Sequence, residues 1–206
     1  LFAPSPWDGS DLDGREVFLH VEQGLGDELF FLRFVTRLRR QGAGRITYLA
    51  NPKIASLLKR ANVCDDIAAP EEKPSKESLV LSVGDLPRSL GMKHVDEIPP
   101  PVRLIPLPGK LAEMRARLLA LGPPPYLGIT WRGGTKKKKN VLYKESPLVP
   151  MVQTLSGIPS TVLVLQRHPL EGEIATFSNA LGRPVLDFSE LNDDLEAMLA
   201  LLSLLD

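Results

Sequence analysis

Cysteine is almost missing from this sequence: Cys64 is the single one in 206 residues. That excludes an internal disulfide framework and fits a reducing compartment. Histidine is nearly as scarce, and His20, His94 and His168 stand at no metal-ligand spacing, with no carboxylate cluster beside them, so no metal is expected. No apolar run approaches the roughly eighteen residues that a membrane helix needs. The N-terminus has no basic-then-apolar signal pattern. Charge of one sign is not in excess either, since 25 Lys and Arg balance 25 Asp and Glu. No global field therefore draws the chain to nucleic acid or an anionic membrane. Together these absences predict a cytoplasmic protein with no membrane span and no nucleic-acid partner.

The composition that remains, 43% apolar and 24% charged, is that of an ordinary globular protein. Its length allows one large domain or two small ones. The chain opens at Leu1, and residues 1–13, with two prolines, Trp7 and acidic side chains, read as a linker from an upstream domain.

Strands and helices alternate along the sequence, which predicts an α/β fold with parallel sheets and right-handed crossovers. Residues 16–21 read as a strand, 29–40 as a strongly apolar helix ending in Arg37, Arg39 and Arg40, and 45–50 as a second strand. A short helix over 53–60, a short strand at 67–69 and a strand at 79–83 follow. Cys64, among apolar neighbours, reads as packing. The proline-rich stretch 99–108 and the amphipathic helix 110–121 place a domain boundary near residue 109, giving an N-terminal unit 14–108 and a C-terminal unit 109–206. The second unit has strands at 126–131, 161–166 and 185–188. Its helices cover 148–155, 171–181 and 193–202, the last capped by Asn192. Strand, glycine turn and helix recur in both halves.

The richest stretch is Glu22-Gln23-Gly24-Leu25-Gly26-Asp27-Glu28, the joint between first strand and first helix. Two glycines there let the backbone approach a ligand, and the free N–H groups of the following helix favour negative charge. Asp27 lies at the tip of the turn. It would equally serve as a helix cap, with Glu28 complementing the dipole. A dinucleotide site is excluded, because Leu29 stands where G-x-G-x-x-G needs its third glycine and the second strand ends in Ala50-Asn51 rather than an acid. His20, inside an apolar strand, reads as a packed histidine.

In the second unit, Arg132-Gly133-Gly134-Thr135 and four consecutive lysines form no Walker A spacing. Such a run is usually a solvated loop; phosphate binding is the other reading. Trp131 would stack on a base or pack beneath the sheet. Gln166 and Arg167 end a strand on the side where open α/β sheets bind ligands, and Arg167 could meet a phosphate.

The run from Trp7 to Val35, above all Glu22-Gln23-Gly24-Leu25-Gly26-Asp27 followed by Phe31-Leu32-Arg33-Phe34, resembles the opening of a glycosyltransferase-like domain. That domain follows tetratricopeptide repeats in many bacterial proteins and is similar to the family 9 heptosyltransferases of GT-B fold. Leu86-Pro87 with Ile98-Pro99, Gly128-Ile129-Thr130-Trp131 with Gly133, and Leu186-Asp187-Phe188 match more faintly, in family order. The resemblance implies two Rossmann-like units, the second truncated before an Asp-Thr-Ala…His loop. It implies sugar transfer from a nucleotide-sugar co-substrate to a glycan or protein acceptor, inverting and without metal or further cofactor. Asp27 would be the general base, and Gln23, Gly24 and Gly26 would shape the acceptor side. Trp131, Gly133, Lys144, Gln166 and Arg167 would hold the donor. Lys144 stands where the family has an arginine, which keeps the charge and loses the bidentate fork. The alternatives are a non-catalytic interaction module of a repeat protein, meeting partners through its upstream repeats, and, more remotely, a nucleotide-sugar epimerase.

Overall fold

The structure, a computed structural model, describes residues 7–21, 24–133 and 144–206. It divides into two compact units, Leu1–Ile105 and Pro106–Asp206. Each is an α/β layer structure around a parallel sheet.

In the first unit the strands are β1 (Val17–His20), β2 (Ile46–Leu49), β3 (Asp66–Ile67) and β4 (Leu79–Ser82), all parallel, in the order β3-β2-β1-β4. β1 is central, and all four of its residues are buried, as a strand covered on both faces requires. β2 and β4 alternate buried and half-buried positions. The chain leaves β1 into α1 (Leu25–Phe31), a 3-10 turn (Leu32–Phe34) and α2 (Val35–Arg40). The helix expected from residue 29 thus starts a turn earlier and is tightened in its middle, where Leu32, Phe34, Val35 and Leu38 are sealed against the sheet. α3 (Ala55–Ala61) ends on left-handed Asn62. A 3-10 turn (Val83–Asp85) and α4 (Leu86–Ser89) follow β4, and a further 3-10 turn spans Val95–Glu97. The third strand sits one residue earlier than expected and is shorter, because Ala68 and Ala69 have left the ladder after the Ala68 N–H bonds the Tyr48 carbonyl. Cys64 is buried, and burial pushes its thiol up to about 12, so it packs rather than reacts.

The second unit opens with α5 (Pro108–Leu121). β5 (Tyr126–Ile129), β8 (Thr161–Val164) and β9 (Leu186–Asp187) make a parallel sheet in the order β5-β8-β9. β6 (Arg132–Gly133) and β7 (Lys144–Glu145) form a small antiparallel ladder beyond β5. The helices are α6 (Leu148–Ser156), α7 (Glu173–Leu181) and α8 (Leu195–Leu202). Successive β8 residues point to opposite faces, so Leu163 joins a core with Met114, Leu118, Phe188 and Leu201, while Val162 joins Leu155, Phe177 and Leu181. The last helix starts two residues later than expected and its cap is not Asn192. The Asp194 carboxylate accepts from the Ala197 N–H, whereas the Asn192 amide donates to the Leu165 and Ser189 carbonyls.

Phe177 is fully buried and stacks on Trp131, ring centroids 5.6 Å apart. Phe177→Ala should cost about 3–5 kcal/mol, read as a lower denaturant midpoint of the second unit together with a red-shifted Trp131 emission.

Candidate functional site

At the C-terminal edge of the first sheet, the strand order reverses between β1 and β4, with β2 on one side of β1 and β4 on the other. Open α/β sheets bind ligands at this switch point. The β1–α1 joint, which carries Asp27, and the 3-10 turn after β4 both start there. Asp27 is exposed, in the first turn of α1, and has no hydrogen-bond or ion-pair partner among the described residues. It is not the cap: that position is Gly24, with φ −77° and ψ 164°, and no side chain caps the helix. The Asp27 carboxylate folds back to within 3.7 Å of where a Cβ on Gly24 would sit. Gly26 has open space at the same point, and neither glycine has a positive φ. Gln23, expected beside them, lies outside the described residues, as do Gly134 and the four lysines.

Glu28, the next residue, takes the opposite role. It is buried at 1% exposure and its Oε1 accepts from the Tyr48 hydroxyl at 2.7 Å and the Asn51 N–H at 2.9 Å. That locks the first turn of α1 to the end of β2 and leaves Asp27 facing outward. Burial and this bond push the Tyr48 phenol far above its ordinary range, so it stays a proton donor. His20, at the end of β1, is buried, as a packed histidine would be.

In the second unit the expected residues do gather at the C-terminal edge of the sheet, but they divide by role. Gln166 is buried; its Oε1 accepts from Trp131 N, Arg132 N and Thr130 Oγ1 at 2.9–3.1 Å, and its amide donates to the Arg132 and Arg167 carbonyls. Its polar atoms hold the β5–β6 turn. Trp131 is buried against Phe177 and donates its indole N–H to Glu173 at 2.8 Å, so it packs under the sheet. Gly133, Lys144 and Arg167 are exposed; Gly133 and Lys144 pair across β6 and β7. Beside them is a cavity of about 360 Å³, walled by Trp131, Glu145, Pro147, Leu170, Gly172 and Thr176.

Glu173 was not legible as a site residue. It opens α7 and receives both guanidinium arms of Arg132, the Trp131 indole and the Leu170 N–H. The Arg132 bonds hold its carboxyl at about 2, well below its ordinary 4.5. The only hint in the sequence is the Trp131-Arg132 pair at a strand end, which leaves a buried cation in need of a carboxylate. Among the described residues, no group of three His, Cys, Asp or Glu could hold a metal ion. No described helix is long and apolar enough to cross a membrane.

No protein-family model matches the chain. Protein FlbA of Caulobacter vibrioides is 27% identical to it over 225 residues, covering 97% of this chain; the chain spans 37% of FlbA's length. Among solved structures, the glycosyl transferase family 9 protein from Veillonella parvula superposes with a TM-score of 0.59 over 94% of this chain and 75% of its own, at 9% identity. At that identity the likeness speaks for fold alone: mixed α/β with parallel sheets, in keeping with paired Rossmann-like units.

The depressed Glu173 carboxyl makes a pH prediction. The unfolded chain binds this proton near 4.5 and the folded one only near 2, so the contribution is fully present above pH 4.5 and is lost as pH falls from 4.5 toward 2. Denaturant midpoints of the second unit, followed by Trp131 emission, should decline through that window. Glu173→Gln should lower stability at neutral pH and flatten the decline.

Proposed function

We propose that the chain is a glycosyltransferase domain of GT-B type that transfers a sugar from a nucleotide-sugar donor to an acceptor hydroxyl. The observation that carries this is Asp27: an exposed carboxylate with no partner among the described residues, at the switch point of a parallel sheet. Among the described residues, no close packing contact and no positive φ requires glycine at positions 24 and 26. The fold likeness to a glycosyl transferase family 9 protein supports the same reading.

In this reading Asp27 accepts the acceptor's hydroxyl proton as that oxygen bonds the anomeric carbon. The bond from that carbon to the diphosphate breaks, the nucleoside diphosphate leaves with the electron pair, and the configuration inverts. Lys144 and Arg167, exposed cations at the C-terminal edge of the second sheet, meet the diphosphate charge without a metal. The neighbouring cavity of about 360 Å³ is within the range of small-molecule sites and takes the nucleoside. The reading further expects a cytoplasmic bacterial protein with an upstream tetratricopeptide-repeat domain, and an acceptor that is a glycan or a protein.

One observation favours a second reading, an interaction module that keeps the fold without catalysis. Gln166, Trp131 and Arg132 spend their polar atoms inside the unit, leaving Lys144 and Arg167 as the cationic donor contacts among the expected residues. Calorimetric titration with UDP-, GDP- and ADP-sugars separates the two. On the transferase reading one donor binds, Asp27→Asn keeps that affinity, and transfer falls roughly a hundred- to ten-thousandfold. Lys144→Ala should weaken donor binding about tenfold while leaving the fold intact. No binding across the panel would leave the interaction module standing.

A further inference from the structure

The first unit carries a second surface, formed by the far end of α1, α2 and the loop over 92–98. Its apolar part is a groove of about 330 Å³ walled by Phe30, Phe31, Phe34, Met92, Val95 and Ile98. The three phenylalanines are mutually packed, with centroids 5.2–6.5 Å apart. The groove is open: Phe30 is 39% exposed, and Val95, on its lip, 83%. Met92 also lines an adjoining hollow of about 260 Å³ with Arg37, Arg40, Gln41, Leu90 and Glu97, so an apolar slot runs into a polar one in which two arginines face one acid.

The polar part carries an excess of cations. Arg33 in the 3-10 turn and Arg37 and Arg40 on α2 follow one another at four- and three-residue spacing, and Lys93 lies on the facing loop. None of the four lies within ion-pair distance of a carboxylate among the described residues. The facing acids are Asp96 and Glu97; Glu97 lines the hollow with Arg37 and Arg40, and its Oε2 accepts from the Lys93 and His94 N–H groups, so the four cations outnumber the two acids. Two of the guanidiniums are already held in place. Arg33 lies 4.2 Å over the Phe30 ring and donates to the Phe30 and Pro99 carbonyls, and Arg37 donates to the Glu97 carbonyl at 3.0 Å. Both keep further N–H groups, and their positive charge, for an incoming anion.

We propose that this strip docks an acidic polypeptide segment anchored by one large apolar side chain. The anchor fills the groove between Phe30 and Val95, and Asp or Glu residues flanking it meet Arg33, Arg37, Arg40 and Lys93. An open groove wide enough for one side chain suits a peptide. A membrane would need apolar side chains projecting from a broad basic face. The site is independent of Asp27 and of any nucleotide-sugar.

The test is fluorescence anisotropy of the chain with labelled peptides, each carrying one Phe, Trp or Leu flanked by Asp and Glu. Two matched sets replace the apolar residue by Ser or the acids by Lys. Binding should appear with the acidic, apolar set alone and weaken with added salt. Val95→Asp and Arg40→Glu each should weaken it about tenfold or more. Arg40→Glu combined with Lys93→Glu should transfer binding to the Lys set. All three positions are exposed, so the fold is not at stake, and circular dichroism checks it. No binding by any acidic peptide overturns the proposal, as does binding that ignores Val95→Asp and Arg40→Glu. Sedimentation with phosphatidylserine vesicles, or self-association in the ultracentrifuge, without peptide binding overturns it in favour of a membrane or a second copy.

Discussion

A carboxylate in the first turn of a helix, buried in one unit and half-buried in the other, bonded across to the end of a strand, fixes the C-terminal edge of each sheet. In the first unit it is Glu28, holding the Tyr48 hydroxyl and the Asn51 N–H. In the second it is Glu173, holding Trp131 and Arg132. The physics is the same in both places. A carboxylate withdrawn from water is costly without partners, so its bonds over-determine where the helix starts, most strongly at the fully buried Glu28. A loop between strand and helix, otherwise soft, becomes a fixed platform.

That fixing decides what the adjacent residues can do. With Glu28 turned inward, Asp27 turns outward, and its charge is left unspent at the switch point of the sheet. With Glu173 and Gln166 bracing the turn after β5, Arg132 is neutralised and Trp131 is packed, so the exposed cations are those a step further out, Lys144 and Arg167. Preorganised groups of this kind lose little freedom when a ligand arrives, which is the main physical advantage of a braced edge over a mobile loop.

The alternation of strands and helices was legible because the four-residue strands carry β-branched or aromatic residues and the longer helices an apolar stripe. β1 could be read as buried because its residues are apolar on both faces. The joint at Gly24 to Glu28 was legible from glycine spacing and from resemblance. What was not legible came from contacts distant in sequence. Nothing in the local sequence distinguishes Gln166 as a brace from Gln166 as a ligand contact; the three bonds to its Oε1 come from residues 34 to 36 positions away. Asn192 and Asp194 are both good caps by type, and only the geometry of the 3-10 turn at Ser189–Asp193 assigns the cap to Asp194. Trp131 had two readings until Phe177 and Glu173 claimed its face and its N–H.

Gly26 gives the sharpest indication that the first joint answers to something besides folding. It lies inside α1, a Cβ there would meet nothing within 4 Å among the described residues, and its φ is not positive. Alanine in a helix interior is about 0.5–1 kcal/mol better than glycine, and in the first turn it is favoured in the same direction by less. The fold therefore bears a cost at Gly26 that its own packing does not explain. On the proposed transferase reading, that forgone stability beside an unpartnered carboxylate is where a functional constraint overrides a folding one. On that reading, a backbone left bare beside Asp27 gives an acceptor room to approach that carboxylate closely.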